Sequence, residues 1–453
     1  IAAIISINNN SLKDRDNYLN QYRKDFKEVL DEFGWMYHTN HKTANTSMSG
    51  AKGVINYTVW SDVLECPLCS HQFDYYQVDS QKDSTKRFHC PSCDGHISKG
   101  ECHRVKEKIY DTFLNEEVEV NKQVPVLINY SYSKKRYEKV PDAADYALLQ
   151  KISAYNPPYW VPTEKMMFSD GPWGDIYRSG YHFGMTNSHH FYTKRNLIIL
   201  SAFWNKFDHH LLKWTLTSML NYVNKRQSYS GGGGGMPGVL FVASLVQEKN
   251  VFDVLQRKFK KIGALLKPSS LDNSNAIIST QSVTDLQNIP SDTVDYIFTD
   301  PPFGDNIMYS EASFLWESWL KVYTNNKPEA IINRTQKKEL QAYYDLMKSA
   351  FTEYYRVLKP NRWITIEFHN SKSKVWNIIQ ESILKAGFII GQVSILDKKQ
   401  GSFKQVTSAG AVKSDLVISA FKPNKEFEES FISNSGKGLE TAFVNDFLAV
   451  QPT

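Results

Sequence analysis

The chain has 453 residues, enough for two or three domains, and its hydrophobic content of 41% and charged content of 22% are ordinary for a globular protein. No apolar run approaches the length of a membrane span, and the first residues lack a basic-then-apolar signal pattern, so the sequence predicts no membrane segment. The net charge of +5 is mild, which means that a surface for an acidic partner has to be a local patch.

The first 53 residues predict an N-terminal helical segment. Alternating charges favour a helix from about Leu12 to Phe33, and Gly34 is a natural stop for it. Val54 to Val63 alternates like a strand and opens a β module that we place at residues 54–140.

Two cysteine pairs stand inside this module with 20 residues between them: Cys66-Pro67-Leu68-Cys69 and Cys90-Pro91-Ser92-Cys93. Each pair can place two thiolates on one ion, and four thiolates complete a tetrahedral zinc site with no open position. A redox role needs one reactive pair rather than two matched ones. Phe73, Tyr75, Tyr76 and Phe88 lie between the pairs and favour a β-hairpin, so we predict a zinc ribbon with a structural Zn²⁺. All five cysteines lie between Cys66 and Cys102, which argues against a secreted disulfide framework and favours the reducing cytoplasm.

A strand is expected from Val124 to Tyr132, followed by the basic stretch Lys134-Lys135-Arg136. Basic residues interleaved with tyrosines suit contacts with phosphates and bases, and they suit a solvated hairpin tip equally well.

The region at residues 141–270 is predicted to be helical with long loops and is a candidate for target recognition. Asn156-Pro157-Pro158-Tyr159 follows a helical pattern at residues 145–152, so its prolines read as a helix stop. Gly231 to Gly235 reads as a mobile loop near the substrate, because no strand runs into it and five glycines have no preferred conformation. A basic helix is expected from Phe252 to Ile262.

From Ala276 onward the pattern becomes that of an α/β domain, which we place at residues 271–422 with a charged, partly helical tail at 423–453. We predict strands at 276–280, 294–299, 363–368, 388–396 and 415–421, and helices at 310–322, 336–358 and 373–386. This order makes a parallel sheet that ends in an antiparallel hairpin.

The stretch VDYIFTDPPFGDN, residues 294–306, carries the chemistry. Val294 to Thr299 reads as a strand buried on both faces, and two prolines force the chain out of the sheet at Asp300. Ligands bind at that carboxyl edge in open α/β sheets. Asp300 and the carbonyl of Pro301 can accept hydrogen bonds from an aromatic amine and aim its lone pair at a sulfonium methyl group, while Phe303 can stack on a planar base.

The four cysteines together with TDPPFGDNIMYSE, NRWITIEFHNS, LDKKQGSFKQVTS and SDLVISAFKP resemble the zinc-ribbon-containing DNA methylases of the adenine-N6/cytosine-N4 amino-methyltransferase family. The likeness spans residues 34–422. It implies an α/β Rossmann-like methyltransferase sheet with an inserted zinc-ribbon and β module. It also implies a site-specific, adenine-specific DNA methyltransferase that uses S-adenosylmethionine, with cytosine N4 as the lesser option.

Site residues follow from the same resemblance. Asp300, Pro301, Pro302 and Phe303 would be the catalytic motif, Asp285 and Asp300 would contact the cofactor, and Cys66, Cys69, Cys90 and Cys93 would hold zinc. The DNA partner would present its target base flipped out of the duplex.

The family's cofactor loop, Phe/Ala-x-Gly-x-Gly after a first strand, has no counterpart before the zinc ribbon. Because the chain opens with Ile1-Ala2-Ala3-Ile4-Ile5, we expect a truncated sequence whose sheet is incomplete on its N-terminal side and which binds cofactor weakly alone. The glycine run is no substitute, since it lacks the P-loop spacing and lysine.

Two other functions fit the sequence. One keeps the chemistry and changes the substrate to RNA or a glutamine amide. The other is a zinc-dependent nucleic-acid-binding protein whose methylase fold is inactive. Lys398, Lys399 and Lys404 are candidate phosphate contacts or a solvated hairpin. Restriction–modification and phage defence, with their protein partners, are common settings for the family.

Overall fold

The structure is a computed structural model, and it describes residues 15–41, 51–166, 184–231, 233–236, 241–265, 279, 281–305, 307–333, 336–369, 373–396 and 415–424. The chain forms two compact units: a first unit, Ile1–Ile278 with Glu311–Thr324, and a second unit, Ser279–Ser310 with Asn325–Thr453. Most of the predicted strand at 276–280, the loop at 397–414 with its three lysines, and the helix of the tail lie outside the described residues.

The described α-helices are α1 Arg15–Phe33, α2 Tyr76–Asp79, α3 Ala143–Ala154, α4 Lys194–Lys206, α5 His210–Thr217, α6 Val251–Leu265, α7 Tyr309–Leu320, α8 Leu340–Val357 and α9 Ser373–Lys385. Short 3₁₀ turns lie at Gly34–Tyr37, Ser188–Phe191 and Leu220–Tyr222. Helix α3 begins with a capping box. The side chain of Asp142 accepts the backbone N–H of Asp145, and the side chain of Asp145 accepts the backbone N–H of Asp142. The helices expected from sequence within the described residues are therefore confirmed, with ends that differ by a few residues. Among the helices that the structure describes, none combines the length and apolarity that crossing a bilayer requires.

The strands of the first unit are β1 His38–Asn40, β2 Lys52–Glu65, β3 Gln72–Asp74, β4 Arg87–His89, β5 His96–Ser98, β6 His103–Arg104, β7 Lys106–Asp111, β8 Glu116–Asn121, β9 Gln123–Tyr132, β10 Lys135–Lys139, β11 Ser228–Ser230, β12 Gly233–Gly235 and β13 Leu245–Lys249. The main sheet has the order β10-β9-β2-β13-β11-β12, and β1, β3 and β6 also pair with β2. Strands β4 with β5, and β7 with β8, form separate hairpins. The 14-residue strand β2 thus organises this unit.

Helix α4 lies in the buried core of the first unit. Every residue from Arg195 to Phe203 is buried. The charge of Arg195 is compensated there, because its guanidinium bonds both carboxylate oxygens of Glu248, the carbonyl of Met36 and the hydroxyl of Thr58. A buried charge persists only when it is paired and hydrogen-bonded in this way.

The glycine run differs from the expectation of a mobile loop. Strand β11 leads directly into it, and Gly233–Gly235 pairs antiparallel with Ser228–Ser230 as strand β12. Gly231 stands in the turn with a φ of 68°, a left-handed conformation that glycine adopts without strain. The prediction failed because strand pairing supplies hydrogen bonds that glycine's low intrinsic propensity does not reveal.

The second unit contains β14 Val294–Thr299, β15 Leu358–Phe368, β16 Ile389–Leu396 and β17 Asp415–Lys422. Their order is β14-β15-β17-β16, with β14 parallel to β15 and β17 antiparallel to both neighbours. Within the described residues, the parallel pair of β14 with β15 and the antiparallel hairpin of β16 with β17 agree with the prediction. The expectation that β14 is buried on both faces is wrong, because β14 stands at the edge of the described sheet, and Tyr296 and Phe298 are 53% and 61% exposed.

Candidate active site and metal centre

The turn at Asp300 follows β14 as its sequence requires. Strand pairing with β15 ends at Thr299, and the two prolines that follow cannot donate to a ladder. Asp300 is exposed, whereas Pro301 and Gly304 are buried. Gly304 has a φ of 72°, so the residue after Phe303 adopts a left-handed conformation that favours glycine. The acidic side chain is thus presented outward from an anchored turn.

Two tyrosines of α8 form hydrogen bonds to residues at this turn. The hydroxyl of Tyr343, a fully buried residue, donates to the carbonyl of Pro302 at 2.6 Å. The hydroxyl of Tyr354 lies 3.0 Å from that of Thr299, the last residue of β14. Burial raises the pKa of Tyr343, so its hydroxyl keeps the proton that it donates. On the other side, the N–H of Ile332 donates to the carbonyl of Gly304 at 3.2 Å.

Phe303 is half-buried at the carboxyl end of β15. Its ring meets the rings of Phe368 and His369 in edge-to-face geometry, with centroids 5.6 Å and 6.1 Å away. Nδ1 of His369 lies 2.7 Å from a carboxylate oxygen of the buried Asp415, the first residue of β17. Phe303, His369 and Asp415 therefore gather at the same sheet edge as Asp300. An aromatic ring held in this way can stack on a base only with its remaining exposed surface.

Tyr309, at the start of α7, is a site residue that the motif reasoning missed. Its hydroxyl bonds the backbone of Phe303, and burial followed by the negative charge of Asp300 raises its pKa. The neighbouring Ser310 donates both its N–H and its hydroxyl to Glu329, at 2.8 Å and 2.6 Å. The sequence contained a signal for this residue, because Tyr309 lies inside the stretch TDPPFGDNIMYSE.

Asp285 is not brought beside Asp300. The adjacent Leu286 bonds Glu353 and Arg356 at the C-terminal end of α8, which leads into the first residues of β15. That places Asp285 near the amino end of β14, whereas Asp300 follows its carboxyl end. Six residues of strand, about 20 Å, separate the two ends.

The two cysteine pairs form matching knuckles. Cys66 begins the turn between β2 and β3, in which Ser70 has a φ of 57° and donates its N–H to the carbonyl of Cys66 at 3.0 Å. The β4–β5 turn repeats this with Asp94, whose φ is 57° and whose N–H donates to the carbonyl of Cys90 at 3.1 Å. The expectation of one hairpin between the pairs is therefore wrong. Each pair sits in the turn of its own hairpin, since β3 pairs back to β2 and β4 pairs forward to β5.

The four sulfurs converge on one point. Sγ of Cys66 lies 3.9 Å from that of Cys93, Sγ of Cys69 lies 3.8 Å from that of Cys90, and all four lie within 4.8 Å of one another. A tetrahedron with Zn–S bonds of about 2.3 Å has edges of about 3.8 Å, so these spacings fit a zinc ion. All five cysteines are free thiols, and Cys102 is buried and donates to the carbonyl of Ser98 at 3.4 Å.

A second polar cluster joins Asp111 to two histidines. Nε2 of His189 and of His190 lie 2.7 Å and 2.8 Å from the same carboxylate oxygen. Nδ1 of His190 accepts the N–H groups of Thr186 and Asn187, which leaves its ring proton on Nε2 to donate to Asp111. These contacts connect β7 to the 3₁₀ turn at Ser188–Phe191, and the three side chains are close enough together to share one ligand ion.

The second unit and its turn define a class: an α/β sheet that presents an acidic residue from a Pro-Pro turn at the carboxyl end of a parallel strand. Residues 294–445 match a family model of the N6/N4 type that is described as DNA methylase. The match begins at the first residue of β14 and includes Asp300 to Phe303. Among curated proteins, none is similar enough in sequence to be matched.

Solved structures from Thermus thermophilus show a local likeness. One is a selenomethionine derivative of a protein described as a DNA modification methylase, 16% identical over 31% of this chain and 49% of that one, with a TM-score of 0.20. Another is the same protein complexed with S-adenosyl-L-methionine, 15% identical over 32% of this chain and 54% of that one, with a TM-score of 0.21. The chain spans about half the length of these structures.

Proposed function

We propose that this protein transfers a methyl group from S-adenosylmethionine to an exocyclic amino group in DNA, with adenine N6 as the first choice of target and cytosine N4 as the second. The observation that carries the proposal is the exposed carboxylate of Asp300 on an anchored Pro-Pro turn, inside a segment that matches the DNA methylase family model. The strand order β14-β15-β17-β16 supports a Rossmann-like methyltransferase sheet for the second unit.

In this proposal the turn activates the exocyclic amine of the target base. Its lone pair is delocalised into the base, and hydrogen bonds from the amine to Asp300 and to the carbonyl of Pro301 favour the pyramidal form and aim the lone pair. Phe303 would support the base with its exposed surface. An amino group inside a duplex cannot reach this turn, so the target base has to leave the stack.

S-adenosylmethionine, when bound, supplies a methyl group on a sulfonium. An exposed carboxylate at a sheet edge suits an ammonium or amine donor, so Asp300 fits either the cofactor's amino-acid group or the target amine. Asp285 remains a sequence prediction for the cofactor's adenine, and its place near the other end of β14 does not support a shared ligand with Asp300.

For the first unit we propose a structural Zn²⁺ held by Cys66, Cys69, Cys90 and Cys93, which makes residues around it a zinc ribbon. Four thiolates leave no position for a reactive water, so the ion would fix the two knuckles rather than act in catalysis. Five free thiols support the reducing cytoplasm as the compartment, and restriction–modification or phage defence as the setting rests on the resemblance alone.

The test compares Asp300→Ala with Asp295→Ala. Asp295 is an exposed carboxylate on the same strand that pairs with Lys359, so its variant controls for charge without touching the turn. Transfer of labelled methyl groups to duplex DNA, RNA and protein is measured, and the methylated nucleoside is identified by mass spectrometry. We expect duplex DNA to carry N6-methyladenine, Asp300→Ala to lose transfer by at least about 100-fold, and Asp295→Ala to keep it.

Undiminished transfer by Asp300→Ala contradicts the proposal. N4-methylcytosine as the product moves the target to cytosine, and label confined to RNA or protein replaces DNA as the substrate.

A further inference from the structure

A polar cleft of about 430 Å³ lies on one face of the main sheet of the first unit. Its floor is a row across three neighbouring strands, because Tyr57 of β2 pairs in register with Asn129 of β9 and with Lys249 of β13. Helix α6 contributes Asp253, Gln256 and Arg257, and the remaining lining residues are Asn56, Arg136 and Gln247. The volume is in the range of small-ligand sites.

The lining suits an anion that also carries hydrogen-bonding groups. Arg136, Lys249 and Arg257 face one lining carboxylate, that of Asp253. Neither arginine forms an ion pair within 4 Å with a described residue, although the charges of both act on Asp253. Burial and then the charge of Arg257 lower the pKa of Lys249. The two cations therefore repel each other, and an anion bound near them would offset that repulsion.

The amides of the floor are held in place before any ligand arrives. Asn56 donates to Asn129 at 2.8 Å and accepts from Ser131 at 3.0 Å. Glu138 accepts from Asn129 at 3.0 Å and from Tyr57 at 3.3 Å. Groups fixed in this way lose little freedom on binding.

Gln247 is a lining residue of the cleft with an unsatisfied hydrogen-bond acceptor. It is 3% exposed, and its carboxamide oxygen has no hydrogen-bond partner among the described residues. A buried carbonyl without a donor is unfavourable by about 1–3 kcal/mol. A base edge offers N–H donors and ring-nitrogen acceptors, and a glutamine carboxamide matches both.

We propose that this cleft binds one nucleotide unit of DNA, with its phosphate at Arg136 and Arg257 and its base edge at Gln247. The choice of DNA rests on the proposed function, whereas a free nucleotide has the same chemistry. The cleft is a binding site separate in sequence from Asp300, and it would position the strand rather than take part in methyl transfer.

Two variants and one control test the proposal. Arg136→Ala removes a cation of the cleft. Lys135→Ala removes a cation from the adjacent position of the same strand, whose side chain points to the opposite face. Gln247→Met keeps the volume and removes the unpaired carbonyl. Binding is measured by fluorescence anisotropy with a labelled duplex of about two helical turns, and by calorimetry with deoxyadenosine monophosphate.

We expect Arg136→Ala to weaken duplex binding about tenfold and to lower the salt-dependence slope by about one, with no change for Lys135→Ala. Gln247→Met should weaken binding while its Tm stays equal or rises, an outcome that a merely structural glutamine would not produce. If the variants weaken binding of the monophosphate and leave duplex binding unchanged, the nucleotide site stands with a free nucleotide as its ligand.

Equal losses for Arg136→Ala and Lys135→Ala, or no loss for Arg136→Ala and Gln247→Met with either ligand, overturn the proposal. These results are independent of the Asp300 test, since binding is measured without cofactor.

Discussion

Removal of the Tyr343 hydroxyl tests whether the hydrogen bond to Pro302 holds the turn at Asp300 to Phe303 in the position that the proposed function requires. Tyr343→Phe keeps the buried ring and its volume, so the loss is confined to the 2.6 Å hydrogen bond to the carbonyl of Pro302. An unpaired carbonyl in that position is unfavourable by about 1–3 kcal/mol, and a value of about 2 kcal/mol lowers the Tm of a domain of this size by roughly 4–8 °C.

The same substitution should slow methyl transfer. Pro302 is two residues from Asp300, and a displacement of about 1 Å at a reacting group can lower the rate about 100-fold. We expect kcat to fall by roughly 10- to 100-fold and the KM for DNA to stay within about twofold of the unaltered protein, since in the proposed function the turn would contact no part of the DNA other than the target base. Single-turnover transfer of labelled methyl groups and thermal unfolding measure the two effects.

Tyr344→Phe is the matched control. Tyr344 is the next residue of α8, and its hydroxyl donates to the exposed Glu381 at 3.2 Å, away from the turn. Its variant should keep both Tm and kcat. If Tyr343→Phe behaves like Tyr344→Phe, the hydrogen bond does not hold the turn and the reasoning is refuted.

Two further predictions concern the first unit. Cys90→Ser should lose the zinc ion, as measured by elemental analysis, and should have a lower Tm. Cys102→Ser should keep the ion. Retention of zinc by Cys90→Ser would contradict the proposed site. Asp111→Asn should lower the free energy of unfolding at pH 7 by about 1–3 kcal/mol, measured by urea titration. Burial raises the pKa of Asp111, but hydrogen bonds from His189 and His190 outweigh it and hold the pKa below the usual value near 3.9. A lowered pKa stabilises the fold above about pH 4 and loses that effect as the pH falls, so the gap between variant and unaltered protein should close in acid; a gap that is constant from about pH 7 to pH 3 would contradict this.

Local patterns predicted most of the elements. The apolar run at Val294–Thr299 and the prolines after it placed strand β14 and its end at the correct residues. The helical spacing before Asn156 likewise separated a helix stop from the similar motif at Asp300, and α3 confirms it. These signals succeed because side-chain periodicity and proline's missing N–H act on the chain within a few residues.

Failures of prediction came from pairing partners far along the chain. Tyr296 and Phe298 have strand-favouring side chains whether or not a neighbouring strand covers them, so sequence could not show their exposure. Gly233–Gly235 forms a strand because Ser228–Ser230 bonds it, and the cysteine knuckles lie in separate hairpins because β3 returns to β2.

The sequence by itself determined the candidate functional groups: an acid before two prolines, and two cysteine pairs at metal-binding spacing. Only the tertiary structure decided what surrounds them, such as Tyr343 under Pro302, Tyr309 near Asp300, and Gln247 in a cleft shared by three strands. The physical reason is that backbone geometry and side-chain periodicity depend on neighbouring residues in the sequence. The hydrogen bond between Tyr343 and Pro302 joins residues 41 positions apart, so it depends on tertiary packing that no short pattern encodes.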